Sequence, residues 1–376
     1  MSTVPRVLLD ATSIPPSRGG VARFLAGLTA GLHALGATVD VAVKREDVEF
    51  LAAGAPSHRY HLVAPAVTRR PVRLAWEQVT LPRMATRLGS EVVHSPHYTF
   101  PLVSRSARVV TLHDATFFST PEAHSRLKGE FFRRWTTLAA RRADALVAVS
   151  EATEREVVAH VPHVTAPISV AYLGVDRTVF RPPTAEAVAA LRSRLGFAPD
   201  EPWIAFLGTI EPRKNVPALL RAARRLRAAD PAFPRLVVSG SRGWDADAGR
   251  LLDEGDPSVV EAGYLPLDEL SALLGGAEVV AYPSLGEGFG LPVLEGMACG
   301  SAVLTTRRLS IPEVGGDAVA YTEPDEDSIA RSLAALVADR AERERLAAAG
   351  AERSARFTWE ECARRYLDAD RTAAAA

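Results

Sequence analysis

The sequence predicts an α/β protein built from two doubly wound, Rossmann-like domains. Three observations predict it. Short runs rich in Val, Ile and Leu alternate with longer stretches of helical spacing, as expected of parallel strands covered on both faces by helices. Those runs fall into two sets of six. A proline-punctuated stretch near 178–202 separates the sets, and 376 residues suit two cores better than one.

Taken in order, 5–10 (PRVLLD) is the first expected strand, and the loop 13–20 (SIPPSRGG) leads to a helix headed by Gly19 and Gly20. The runs 37–43 (ATVDVAV), 91–94 (EVVH), 108–112 (RVVTL), 144–149 (DALVAV) and 168–172 (ISVAY) complete the first set. Pro182, Pro183, Pro199 and Pro202 then mark a boundary around a helical stretch at 184–195, because proline removes a backbone donor and discourages continued helix. The second set is 203–208 (WIAFLG), 235–239 (RLVVS), 258–262 (SVVEA), 278–282 (EVVAY), 302–305 (AVLT) and 318–321 (AVAY). A helical tail, 358–371 (TWEECARRYLDADR), precedes a short alanine run. The expected divisions are 1–185, 186–355 and a terminal helix in 356–376.

Composition narrows the class. Hydrophobic residues make up 47% and charged residues 24%, ordinary for a globular protein. Two distant cysteines, Cys299 and Cys362, imply no disulfide framework and fit a reducing, cytoplasmic setting. No signal-peptide pattern and no run of 18 apolar residues is read. The net charge of −1 hides an asymmetry: residues 1–185 carry 22 Lys+Arg against 15 Asp+Glu, so the first half is basic and the second acidic. A basic half suggests an anionic partner there, and nothing points to nucleic acid.

The chemistry concentrates in 282–300, YPSLGEGFGLPVLEGMACG. A strand ends at Tyr282, a loop carries Gly286, Gly288 and Gly290, and a helix starts near Leu291 with Pro292 in its first turn. Glycines let backbone approach a ligand, and the first helical N–H groups lack intrahelical partners, so the junction suits anions and hydroxyls. Glu287 and Glu295, eight residues apart, could grip the hydroxyls of a sugar and of a ribose. A second junction, 204–215 (IAFLGTIEPRKN), places Arg213 and Lys214 at the end of a strand, where ligands of doubly wound sheets bind. Two cations there suit a diphosphate.

The motifs EGFGLPVLE, GTIEPRKN, the LGVD of 173–176 and the HD of 113–114 resemble, in order and over nearly the whole chain, family 4 of the retaining glycosyltransferases. The wording GTIEPRKN is similar to bacterial mannosyltransferases of polysaccharide biosynthesis. The resemblance implies the GT-B fold, two Rossmann-like domains facing a central cleft, with the terminal helix crossing back to the first. It implies that Glu287 and the backbone at Gly288, Phe289, Gly290 and Leu291 contact the donor sugar, that Glu295 binds the ribose, and that Arg213 and Lys214 touch the diphosphate. Many members carry an arginine directly after the glycine corresponding to Gly208. Here Thr209 stands there, and Arg213 is expected to supply the charge. His113 is expected to reach the reacting sugar, Gly19 and Gly20 to approach the donor phosphates or the acceptor, and Gly240 and Tyr264 to face the nucleobase.

The implied activity is transfer of a hexose, with GDP-mannose favoured, to a glycan or lipid-linked acceptor, without cofactor or metal. Three D-x-D strings (245–247, 325–327 and 368–370) sit in polar contexts expected to be exposed. The segment 126–142 (RLKGEFFRRWTTLAARR), mixing cations with Phe131, Phe132 and Trp135, reads either as a peripheral contact with an anionic membrane or as an amphipathic helix whose aromatics are core. Competing readings are a nucleotide-sugar 2-epimerase and a catalytically silent nucleotide-sugar binding protein. The first loop lacks a G-x-G-x-x-G fingerprint, which argues against a nicotinamide site.

Overall fold

The computed structural model describes residues 5–15, 19–121 and 125–375; residues 16–18 of the 13–20 loop lie outside that set. Two compact units emerge, Met1–Gly174 with Phe357–Ala376, and Val175–Arg356. The first division therefore comes eleven residues before the expected 185. The reason is packing: Pro183 lies against Gly275, and the helix Ala185–Arg194 that follows contacts the helix Leu267–Gly275 of the second unit.

The first unit carries a seven-stranded parallel sheet. Its strands are β1 (Val7–Asp10), β2 (Asp40–Val43), β3 (Arg59–Leu62), β4 (Val92–Ser95), β5 (Ala107–Leu112), β6 (Ala145–Ala148) and β7 (Ile168–Val170), in the order β3-β2-β1-β4-β5-β6-β7. Leu9 of β1 is paired with Val41 on one side and His94 on the other. Six strands match the apolar runs. β3 was not expected, because Arg59-Tyr60-His61-Leu62 is a partly exposed edge strand with no continuous apolar run. Its polar residues serve the buried Asp40, which accepts from Arg59 Nε at 2.8 Å and pairs with His61 Nε2 at 2.7 Å.

The tail forms the helix Trp359–Ala374, which ends three residues later than expected, and belongs to the first unit. Thr358 caps it by accepting from Glu361 N–H, the reciprocal spacing of a capping box. Its buried Trp359, Ala363 and Tyr366 pack on the helix Gly20–Ala34. Contact is close enough that a Cβ on Gly27 would sit 1.9 Å from the Trp359 ring, and one on Gly31 would sit 2.2 Å from the Trp359 carbonyl oxygen. In the helix Arg126–Arg142, Phe132 packs against Tyr98 and Phe117, and Trp135 against Phe100, so these two aromatics are core. Leu127 and Phe131 face outward.

The second unit has a six-stranded parallel sheet, and all six expected strands occur. They are β8 (Trp203–Leu207), β9 (Arg235–Ser239), β10 (Val259–Gly263), β11 (Val279–Tyr282), β12 (Val303–Thr305) and β13 (Ala320–Tyr321), ordered β10-β9-β8-β11-β12-β13. Each sheet reverses its winding once, between β1 and β4 and between β8 and β11. Those reversals leave crevices at the carboxyl ends of the strands, where ligands of such sheets bind. Among the described residues, no helix is long and apolar enough to cross a membrane.

Candidate active site

The β8/β11 reversal gathers the charged residues expected at 213, 214 and 287. β8 ends at Leu207, and a short turn, Pro212–Lys214, precedes the helix Val216–Ala229. Asn215, in the left-handed region at φ 58°, allows that sharp entry and donates from Nδ2 to the carbonyls of Pro324 at 2.7 Å and Pro283 at 3.2 Å. β11 ends at Tyr282, and the loop after it bonds back to the turn through Leu285 N–H to the Arg213 carbonyl at 2.8 Å. Gly290, at φ 102°, starts the helix Leu291–Ala298 in a conformation a side chain would strain.

Glu287 is the hub of this junction. Its Oε1 accepts from Lys214 Nζ at 2.7 Å, Ser284 Oγ at 2.6 Å and Tyr282 OH at 2.9 Å, while Oε2 accepts from Arg213 Nη1. Arg213 also pairs with Glu211 at 2.7 Å, and Lys214 donates to Tyr282 OH. Burial pushes the Glu287 carboxyl up, but the Arg213 and Lys214 charges outweigh it and hold it at about 2. Burial and Arg213 lower Lys214, opposed by Glu287 and Glu211. The two cations and two carboxylates balance, so this form presents no net positive charge. Ser310 Oγ donates to the Glu287 carbonyl at 2.8 Å and Thr306 Oγ1 to that of Ser284 at 2.6 Å, which fixes the loop. Glu295 lies buried one turn into the helix, and Phe289 is buried beside its start.

The neighbouring strand ends of the same sheet carry the other expected donor residues. Gly208 N–H bonds to the Ser239 carbonyl at 2.9 Å, and Gly240 N–H to that of Gly263 at 2.8 Å. A Cβ on Gly240 would lie 2.1 Å from the Gly208 carbonyl oxygen, so only glycine lets Gly208–Thr209 and Gly240 meet. Tyr264 follows β10 and is exposed.

In the first unit, His113 follows β5 and is half-buried. Its Nε2 donates to the Pro96 carbonyl at 2.8 Å, and its ring meets the edge of Phe24 at 4.6 Å. Burial lowers its pKa, so the ring is neutral near pH 7, with its lone pair on Nδ1. Phe24 belongs to the first turns of the helix headed by Gly19 and Gly20, which brings that helix start beside His113. The β1/β4 reversal holds a second cluster, Asp10, Glu77 and His97, whose ligand atoms lie within 4.8 Å of one another. Arg73 already supplies a cation to it, at 3.2 Å from Glu77 Oε2.

Two sequence profiles cover the chain: "Glycosyltransferase Family 4" matches residues 18–179 and "Glycosyl transferases group 1" residues 188–353. The O-antigen chain mannosyltransferase B of Escherichia coli is 30% identical over 283 residues, covering 74% of this chain and 73% of that protein. The chain belongs to glycosyltransferase family 4. The glycosyltransferase is also 34% identical to the D-inositol 3-phosphate glycosyltransferase of Stackebrandtia nassauensis, over 76% of this chain but only 63% of that protein. Among solved structures, Anabaena HepE in complex with UDP-glucose superimposes with a TM-score of 0.76 at 18% identity, over 97% of this chain and 98% of that one. The fold is GT-B.

Sequence reasoning missed several parts of the glycosyltransferase's second-unit site. Tyr282, Ser284 and Glu211 all belong to the Glu287 network, yet each is a common residue whose role depends on which strand ends lie side by side. Asn215 left a readable signal, a turn-former directly before a helix with Pro217 in its first turn. The D-x-D strings serve structure. Asp245 and Asp325 cap helices, while Asp247, Asp327 and Asp368 pair with arginines. Asp370, expected to be exposed, is buried against His94 Nδ1 at 2.9 Å.

Proposed function

We propose that this glycosyltransferase is a retaining hexosyltransferase, with GDP-mannose its favoured donor and a glycan or lipid-linked saccharide its acceptor. The observation that carries this reading is the convergence of Arg213, Lys214 and Glu287 at the β8/β11 reversal beside the start of the helix Leu291–Ala298. The likeness to an O-antigen chain mannosyltransferase supports mannose and a glycan acceptor.

A donor diphosphate competes with Glu287 for the two cations. As Arg213 and Lys214 turn to phosphate oxygens, the Glu287 carboxylate is released to accept from sugar hydroxyls, Glu295 takes the ribose and Tyr264 the base. The bond from the anomeric carbon to phosphate oxygen breaks, and negative charge grows on the leaving group. Arg213, Lys214 and the N–H groups of Phe289, Gly290 and Leu291 stabilise that charge more in the transition state than in the ground state. The acceptor oxygen bonds to the anomeric carbon on the same face, and its proton passes to the leaving phosphate. In this reading the first unit takes the acceptor, through His113 and the Gly19–Gly20 helix start. No step calls for a metal, so full activity is expected in excess EDTA.

A thermal-shift panel of GDP, UDP, dTDP and their sugars tests the donor. A ligand at 100 times its Kd stabilises by about 2.7 kcal/mol. A UDP-sugar is the second reading, favoured by the UDP-glucose bound to the structural neighbour, and the same panel separates the two. Lys214→Ala is expected to lower turnover about 10²–10³-fold, and near-wild-type turnover at saturating donor overturns the assignment. An epimerase would convert donor without acceptor, and a silent binder would release no nucleotide. The reading also takes the protein as cytoplasmic, touching anionic membrane through the exposed Leu127 and Phe131 and the cations around them. Co-sedimentation indifferent to anionic lipid and salt rejects that contact.

A further inference from the structure

The β1/β4 reversal of the first unit holds a polar cluster that the donor chemistry does not use. Asp10 closes β1, His97 follows β4 by two residues, and Arg73 and Glu77 come from the helix Arg70–Leu88. Glu77 is saturated. Its Oε1 accepts from Gln78 Nε2 at 3.0 Å, and its Oε2 from Thr99 Oγ1 at 2.6 Å and Arg73 Nη1 at 3.2 Å. Asp10 is half saturated: Oδ1 accepts from Thr12 N–H at 2.9 Å and Thr12 Oγ1 at 2.6 Å. Its Oδ2 is fully buried and accepts no hydrogen bond, with His97 Nε2 at 3.6 Å and Arg73 Nη1 at 3.9 Å.

His97 shows the same incompleteness. Its Nε2 lies 2.7 Å from Arg73 Nη1, a contact that needs a lone pair on nitrogen, and 3.0 Å from Glu77 Oε2, a contact that needs a proton. Its buried Nδ1 has no partner. No single protonation state satisfies both contacts at Nε2. A buried carboxylate oxygen without a donor is costly, and here it stands at the sheet position where doubly wound folds bind ligands.

We propose that Asp10, flanked by Arg73 and His97, holds a hydroxyl of a neutral saccharide acceptor. A hydroxyl both donates and accepts. It donates a hydrogen bond to Asp10 Oδ2 and accepts one from Arg73 Nη1, which gives the buried oxygen its donor and lets His97 Nε2 keep its proton for Glu77 Oε2. A phosphate fits poorly, because the two carboxylates of Asp10 and Glu77 face a single arginine. A divalent cation fits poorly too, because Arg73 already occupies the position that neutralises Glu77. The cluster thereby separates the acceptor classes named by the relatives, favouring a neutral glycan over an inositol phosphate. This inference rests on the transferase reading, with the acceptor in the first unit.

The test titrates the full chain with mannobiose, D-inositol 3-phosphate and MnCl2, and separately with GDP-mannose and UDP-glucose, by calorimetry. Wild type is expected to bind mannobiose in preference to the inositol phosphate. Asp10→Asn keeps Oδ1 for Thr12 and replaces Oδ2 by a donor. It is expected to weaken mannobiose at least tenfold and raise the acceptor KM far more than it lowers kcat, with nucleotide-sugar affinity within twofold. His97→Gln leaves the Asp10 contacts to Thr12 intact and is expected to weaken mannobiose in the same direction, which decides the matter if Asp10→Asn does not fold. Unchanged mannobiose affinity in the variants means that Oδ2 meets only water and overturns the inference. So does a wild-type preference for the inositol phosphate, or Mn²⁺ binding that Asp10→Asn abolishes. Failure of wild type to bind mannobiose while a nucleotide sugar binds overturns this inference and leaves the transferase reading standing. Failure to bind either nucleotide sugar removes that reading itself.

Discussion

Glu287 holds two cations that a diphosphate also wants, and this competition sets its behaviour under mutation and acid. Glu287→Gln keeps the shape but leaves Arg213 and Lys214 without their central counter-charge. Breaking one partner of a buried ion cluster typically costs about 3–5 kcal/mol, and the amide, which still accepts hydrogen bonds, should fall at or below the lower end. Urea unfolding of the variant measures it. Acid acts on the same group. The folded carboxyl is held at about 2 against an ordinary 4.5, so its stabilising contribution is fully present above pH 4.5 and is lost as pH falls toward 2. Across that window wild-type stability is expected to fall more steeply than that of Glu287→Gln. Parallel curves would show that Glu287 is not held low.

At the scale of elements, two glycines do different work. Gly290 turns the chain from loop to helix at φ 102°, so Gly290→Ala should cost about 1–2 kcal/mol and tilt the first N–H groups away from the donor. Weaker nucleotide-sugar binding beyond what the loss of stability explains is the expected signature. Gly27 instead lets two helices touch, because a Cβ there would enter the Trp359 ring. Gly27→Ala should therefore destabilise by about 1–3 kcal/mol through overpacking while leaving nucleotide-sugar affinity unchanged. Thermal unfolding and donor titration of the two variants distinguish these roles.

At the scale of the molecule, the chain leaves its first unit at Gly174 and returns to it at Phe357. The first unit is thus incomplete without the last residues of the chain. Deleting 357–376 strips the cover from Phe24 and His94, which the tail helix buries through Trp359, Tyr366 and Asp370. Such a truncation is expected to lose cooperative unfolding of the first unit, while residues 175–356 keep their own transition and still bind nucleotide sugar. Two calorimetric transitions in the full chain reduced to one in the truncation would show it. A truncation with both transitions intact would contradict the packing described.

The sequence by itself determined the two parallel sheets, twelve of the thirteen strands, the glycine-rich junction at 286–291 and the pairing of Arg213 and Lys214 with a strand end. These were legible because buried parallel strands must be continuously apolar, and because a chain that turns sharply into a helix needs glycine or proline at fixed offsets. β3 escaped, since an edge strand carries no such run. The tertiary structure alone decided that Glu287 shares its oxygens among four partners, that Asp10, Glu77 and His97 meet across 87 residues of chain, and that Asp370 is buried. Periodicity records which face of an element meets a core. Which polar side chains converge depends on strand order, and strand order is set by how the whole chain packs.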